Sequence, residues 1–295
     1  MRTVPEHEYT TYPRRFNAYK WFKPLLVGLL FAVFYLILGL AVTLITKVLF
    51  GSSVASSGYD DMDFYSAAGV FYNAAAAFVF IPSLICAALI VRDRPVSSYW
   101  SSMGGWRWKV FLKTFVAAFV FLGIPTVVSH LIGGRTGDVK FTIGGFFILT
   151  LLAPFQGVAE ELTYRGFLMQ TVSSWFMLPA AGIIVQTLIF TAVHPYNFIG
   201  LMEIIVSGLL YAMVCVFTKG LEAPSALHIV NNMSEIYMAG LGFGMITAEQ
   251  TVPSVVLNLF FKILFFLFIL FADKKLRWFD EIKYDDVARF NVKTK

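Results

Sequence analysis

The chain has 295 residues, of which 58% are hydrophobic and 14% charged, with 31 Phe and a formal net charge of +5. A soluble domain of this size has too little interior to hide so much apolar surface, which excludes a water-soluble globule. The basic excess is no sign of nucleic-acid binding, because it gathers at the two ends of the chain and in one connection between apolar runs.

In chain order, a segment with Arg2, Arg14, Arg15, Lys20 and Lys23 precedes the first apolar run, Pro24 to Thr46. That run is long enough to span a bilayer and lacks a clear small-residue cleavage site, so it reads as a span and not as a signal peptide. Further runs follow at Val70 to Val91, Val110 to Ile132, Phe141 to Ala159, Pro179 to Val193, Phe198 to Phe217, Ala223 to Leu241 and Val252 to Ala272. They are unbroken and close to the roughly 20 residues a hydrocarbon core demands, without the short alternation of a barrel. Pro82, Pro125 and Pro154 are tolerable inside them where neighbouring helices cover the freed backbone groups. The expectation is an all-α, polytopic transmembrane bundle of about eight spans.

Charge placement orients it. Arg92, Arg94, Arg107 and Lys109 in the second connection, and Lys274, Lys275, Arg277, Lys283, Arg289, Lys293 and Lys295 after the last run, share a side with the N-terminal segment if the number of spans is even. The positive-inside bias makes that side, and both termini, cytoplasmic. The other side carries Lys47, Arg135 and Lys140 with the acids Asp60, Asp61 and Asp63. Trp21, Trp100, Trp106, Trp108 and Trp278 adjoin the basic segments, as an interfacial aromatic belt would. Residues 1–23 and 273–295 are then cytoplasmic tails around one transmembrane domain, 24–272. Its surroundings are the lipid bilayer, with anionic headgroups facing the basic side. Cys86 and Cys215 both fall in apolar runs and imply no disulfide framework.

Ionisable residues inside spans are costly and therefore informative. Glu160, Glu161 and Arg165 continue straight from the fourth run, His194 closes the fifth, and His228 and Asn232 lie in the seventh. Glu161 and Arg165 are four apart with the acid first, the favourable order for a same-face ion pair. Glu160 sits about 100° away round the helix and has no evident partner at four-residue spacing. Phe190 with His194 and His228 with Asn232 repeat that spacing. Each pair alone has an ordinary explanation: a surface ion pair, a histidine bonding a helix-end carbonyl, or an interhelical hydrogen-bonding pair. Within one short stretch they are together the parts of an acid/base site. Glu203, in the sixth run, is a buried acid that serves either substrate or structure. His7 and His130 match no pattern.

The ordered motifs Glu160-Glu161…Arg165, Phe190…His194 and His228…Asn232 resemble those of the CAAX-protease and bacteriocin-processing (Abi-type) intramembrane proteases. Arg165-Gly166-Phe167-Leu168 and the stretch from Gly208-Leu209 to Ala223-Pro224 resemble that family too. Ala212 stands where a second glycine is usual. The resemblance covers about 145–240 and implies a catalytic core there. It implies that Glu160 is the general base that activates a water, assisted by His194, that His228 and Asn232 stabilise the oxyanion, and that Glu161, Arg165 and Phe190 are supports. The implied reaction is hydrolysis of a peptide bond in a membrane-associated protein or peptide. Whether the site uses no cofactor or one divalent ion such as Zn²⁺ stays open, with Glu160, His194 and His228 as candidate ligands. A non-enzymatic immunity or regulatory protein of the same fold is the alternative. A transporter ranks third, for want of an inverted repeat or paired broken helices. Short loops suit a multi-pass protein of a bacterial plasma membrane.

Geometry adds a condition. A continuous helix from about Phe141 to Phe176, a tight turn at Met177-Leu178 and an antiparallel helix from Pro179 would set Glu161 and His194 at one depth, about 22 Å from the turn. Raising His228 to that depth requires either a segment that re-enters after Pro195 or a tilt of the later helices.

Overall fold

The computed structural model describes residues 6, 8–51 and 63–293; Arg2, His7, Asp60, Asp61 and Lys295, and the side chain of Lys293, lie outside the described residues. The protein is all-α: the described residues contain no strand, and one isolated bridge joins Ser101 to Gly220. The helices are α1 (Lys23–Phe50), α2 (Ala67–Val91), α3 (Trp108–Gly133), α4 (Ile143–Phe176), α5 (Pro179–Ala192), α6 (Phe198–Thr218), α7 (Glu222–Gly240), α8 (Val252–Leu276) and α9 (Asp286–Lys293).

All eight apolar runs fold as helices, but among the described residues only six helices are long and apolar enough to cross a membrane. Helix α5 has only 14 residues. Helix α7 carries Glu222, Ser225, His228, Asn231, Asn232 and Glu235, so its composition falls short although its length does not. Length and composition thus mark six spans where the sequence suggested eight, and the two exceptions both line the site. Apolar side chains such as Leu36, Leu40 and Leu151 stand exposed on the bundle, as expected of lipid-facing positions in a multi-pass membrane protein.

Local chemistry sets the helix ends. Thr142, Asn197 and Ser66 each accept a hydrogen bond from the backbone N–H three residues on, capping α4, α6 and α2. The turn between α4 and α5 is made by Met177 in the left-handed region (φ 52°) followed by Pro179 in the first turn of α5. This is the continuous long helix and tight reversal expected from the sequence. Within α4, Leu162–Met169 winds as a π-helix, a wider coil that recurs at functional positions.

The segments read as tails are folded. Tyr9, Tyr12 and Phe16 are buried, and the Tyr9 hydroxyl donates to the Tyr99 carbonyl at 2.6 Å. Arg14 Nε donates to the Ser174 carbonyl at 2.7 Å, satisfying a helix-end acceptor of α4. The C-terminal segment joins the same layer: Lys283 N donates to Met103 O at 2.7 Å, and Asn291 Nδ2 to Arg15 O at 3.2 Å. The three basic regions therefore meet at one end of the bundle. Beneath them Arg107 forks onto Glu222, joining the 92–107 connection to the start of α7.

Candidate active site

The site forms where α4, α5, α6 and α7 converge. Antiparallel packing of α4 on α5 sets the first alignment. Tyr164, one turn after Glu160, lies edge-on to Phe190, one turn before His194, with ring centroids 4.8 Å apart. That contact puts Glu160 and His194 at the same level, and Gly182 permits the close approach, since a Cβ there would stand 2.3 Å from the Met169 carbonyl oxygen.

His228 reaches this level through a crossing of α7 over α4. The contact point is Gly157, where a Cβ would meet Ile229 N at 3.2 Å and His228 Cβ at 3.4 Å. Helix α6 starts at Phe198, three residues after Pro195, so the chain turns straight back. The later helices deliver His228 by the way they cross, and the loop after Pro195 takes no part in it.

The two neighbouring carboxylates occupy different environments. Glu161 is 0% exposed: its Oε1 accepts from Arg165 Nη1 at 3.0 Å and from His228 Nδ1 at 2.8 Å. Glu160 is 23% exposed, and its Oε2 lies 3.6 Å from His228 Nε2. Glu160 is thus the carboxylate a water molecule can reach, and Glu161 is a buried anchor. The Glu161–Arg165 pair drawn from the four-residue spacing is present, but it lies in the protein interior and not at a surface. Arg165 is further held by a 3.3 Å bond to Gly208 O and by the rings of Phe190 and Tyr211, 4.7 and 5.5 Å from its Cζ. Gly208 matters for packing, because a Cβ would lie 3.1 Å from Thr187 on α5.

Hydrogen-bond partners fix both imidazoles. His194 Nδ1 lies 2.6 Å from Phe190 O, and a carbonyl can only accept, so Nδ1 carries the proton and Nε2 is left as the basic nitrogen. His228 Nδ1–H points at the Glu161 carboxylate and turns Nε2 toward Glu160. Asn232 lies half-buried one turn along α7, and its Oδ1 accepts from Asn231 Nδ2 at 3.1 Å. The structure therefore brings Glu160, Glu161, Arg165, Phe190 and His228 into mutual contact. It places His194 at their level and Asn232 one turn from His228.

Sequence reasoning missed several partners. Glu160 does have a partner at four-residue spacing, on its N-terminal side: Gln156 Nε2 donates to Glu160 Oε1 at 3.1 Å. Tyr211 packs on His228 with ring centroids 5.3 Å apart, and its place four residues after Ser207 and eight after Glu203, on one helix face, was the available signal. Glu203 is explained by Lys262 on α8, whose Nζ donates to Glu203 Oε1 at 3.1 Å and Ser207 Oγ at 2.9 Å. His130 closes a separate contact with Phe243 O at 2.7 Å and Glu235 Oε2 at 3.0 Å, away from the site residues.

For a metal, three ligands must converge on one point. Among the described residues no group of three His, Cys, Asp or Glu does so, although the Nδ1 bond of His194 leaves its Nε2 free to ligate. As placed, the donors do not form a metal cage.

Comparison with curated proteins and with solved structures gave no match. Comparison with family models gave a match over residues 141–234, which hold every site residue named above except Lys262 and the His130 contact. That segment matches Rce1-like, the type II CAAX prenyl endopeptidases, the kind of membrane protease that the three motifs resemble.

Proposed function

We propose that this protein is an intramembrane endopeptidase that hydrolyses a peptide bond of a membrane-associated protein or peptide. Glu160 serves as general base. A water held between Glu160 and His194 gives a proton to the Glu160 carboxylate as its oxygen attacks the scissile carbonyl carbon. His228, as an imidazolium with Nδ1–H held by Glu161 and a second proton on Nε2, and Asn232, through its amide N–H, donate to the oxyanion that forms. Glu161 and Arg165 hold the His228 ring in place, much as a buried carboxylate orients a catalytic histidine elsewhere. As the tetrahedral intermediate collapses, the C–N bond breaks and the leaving amine takes the proton back from Glu160. The products are a carboxylic acid and an amine, which part as carboxylate and ammonium once the acid proton passes to the amine.

The observation that supports this reading best is the division of labour between the carboxylates. Glu160, partly exposed, faces His228 Nε2 at 3.6 Å, beyond a direct hydrogen bond, so its carboxylate stays open to a water that approaches from the exposed side. Glu161 is sealed against Arg165 and His228. A structural ion-pair network would close both.

The basic layer faces the cytoplasm, with both termini on that side of a bacterial plasma membrane, and the substrate class is that of the matched family, prenylated CAAX peptides. The test is cleavage by the purified protein in liposomes of a farnesylated CAAX peptide and of a mixed set of unprenylated membrane peptides, read by mass spectrometry with and without a chelator. Cleavage that persists in chelator is expected. Cleavage abolished by chelator and restored by Zn²⁺ would overturn the metal-free mechanism. No cleavage of any peptide would favour a non-enzymatic role.

A further inference from the structure

We propose that Gln156 is the positioning residue for the general base, choosing which oxygen of Glu160 acts and keeping it off His228. This rests on the peptidase reading above. Gln156 lies on α4 one turn before Glu160, and among the described residues it is the one side chain hydrogen-bonded to that carboxylate. Its Nε2 donates to Oε1 at 3.1 Å, which occupies Oε1 and leaves Oε2 as the oxygen that faces His228 Nε2.

The separation of 3.6 Å between those two atoms is what this bond maintains. A carboxylate on a flexible side chain beside an imidazole in a low-dielectric site will close to a direct, charge-assisted contact of roughly 2.8 Å unless something holds it back. Contact at that distance would tie up Oε2, the oxygen that has to take the proton of the water. It would also spend the His228 N–H meant for the oxyanion on the ground state, where it gives no catalysis. Gln156 suits the restraint because its amide donates without adding charge. A lysine at that position would neutralise the base, and an acid would repel it.

The sequence context agrees. Gln156 stands in the apolar stretch Leu151 to Val158, with Pro154 two residues before and the crossing point Gly157 directly after. The crossing fixes α7 against this turn of α4, so Gln156, Glu160 and His228 are held as one unit.

The experiment measures kcat and KM on the farnesylated CAAX peptide for wild type, Gln156→Leu, Gln156→Glu and Glu160→Ala, with thermal melts to verify folding. Gln156→Leu is expected to lower kcat by about 10- to 100-fold with KM within about twofold, the pattern of lost positioning. Gln156→Glu is expected to be impaired at about pH 8 and to recover relative to wild type toward about pH 5.5, where the introduced carboxyl carries a proton it can donate to Oε1. Wild-type kcat in Gln156→Leu, or a Gln156→Glu defect that does not change with pH, would overturn the proposal while an inactive Glu160→Ala leaves the peptidase reading intact. Cleavage by Glu160→Ala at the wild-type rate would overturn both.

Discussion

Among the described residues two Arg–Glu pairs are fully buried, Arg107–Glu222 at the end of the bundle and Arg165–Glu161 in the site, with side chains 0% exposed in each. The first is saturated. Glu222 accepts from Arg107 through Nε at 2.9 Å, Nη2 at 3.0 Å and the backbone N–H at 2.9 Å. Two further guanidinium hydrogens reach Phe279 O at 3.0 Å and Thr218 O at 2.6 Å, so each nitrogen has a partner. The second pair is open: among the described residues Glu161 Oε2 and Arg165 Nε have no hydrogen-bond partner, and Glu161 Oε1 is shared with His228. A closed pair ties segments together and can do nothing else. An open one holds a third group, and here that group is the histidine facing Glu160.

The comparison breaks most visibly at the closed pair. Arg107→Ala strands Glu222 in the interior and should cost about 3–5 kcal/mol of stability, read as a collapse in folded yield or melting temperature. Arg107→Lys keeps the charge and loses the fork, so it should lower the melting temperature while the folded fraction cleaves at the wild-type rate. The same substitution at Arg165 should instead lower kcat, because His228 loses its fixed partner. Equal behaviour of the two lysine variants in both assays would erase the distinction.

His228→Ala removes the proposed oxyanion donor and should reduce kcat by about 10²–10³-fold, equivalent to roughly 3–4 kcal/mol, with a melt close to wild type. A third buried pair, Lys262–Glu203, sharpens the contrast from the other side. Lys262→Met should destabilise by about 2 kcal/mol by leaving Glu203 unpaired, and adding Glu203→Gln should restore most of it. Thermal melts of the two singles and the double decide this.

The smallest effect is expected at Asp286, outside the spans. Burial pushes its carboxyl above the usual carboxylate range. A group raised on folding stabilises at low pH, and that contribution is lost as pH rises through the raised value. Docking of α9 should therefore weaken as pH climbs out of the acid range, and Asp286→Asn should remove that dependence with a gain of about 0.5 kcal/mol. Limited proteolysis of the C-terminal segment across that range is the measurement.

How much of this was legible in the sequence follows from separation along the chain. Spacing of four on one helix exposed Glu161–Arg165, Phe190–His194 and His228–Asn232, and simple rise per residue foretold the long α4, the turn at Met177 and the common level of Glu161 and His194. Pairings across helices were not legible. Nothing local to Glu203 points to Lys262, 59 residues on, or ties Arg107 to Glu222. The crossing at Gly157 depends on a missing side chain and leaves no periodic trace. The terminal segments read as cytoplasmic tails from their charges, and the few residues that dock them, Tyr9, Tyr12 and Phe16 among them, leave no periodic pattern to read. Gln156 was missed for a plainer reason: Glu160 reads as having no partner at four-residue spacing, whereas a neutral amide one turn before it donates to its carboxylate.

The measurement that bears most directly on the whole account is the cleavage rate of Glu160→Gln in liposomes, beside wild type and with matched melts. The substitution keeps size and polarity and removes only the basic oxygen. A loss of about 10²–10⁴-fold in kcat with an unchanged melt is the expected result for a general base. Cleavage at the wild-type rate would contradict the account, because it would show that the partly exposed carboxylate facing His228 takes no part in the chemistry.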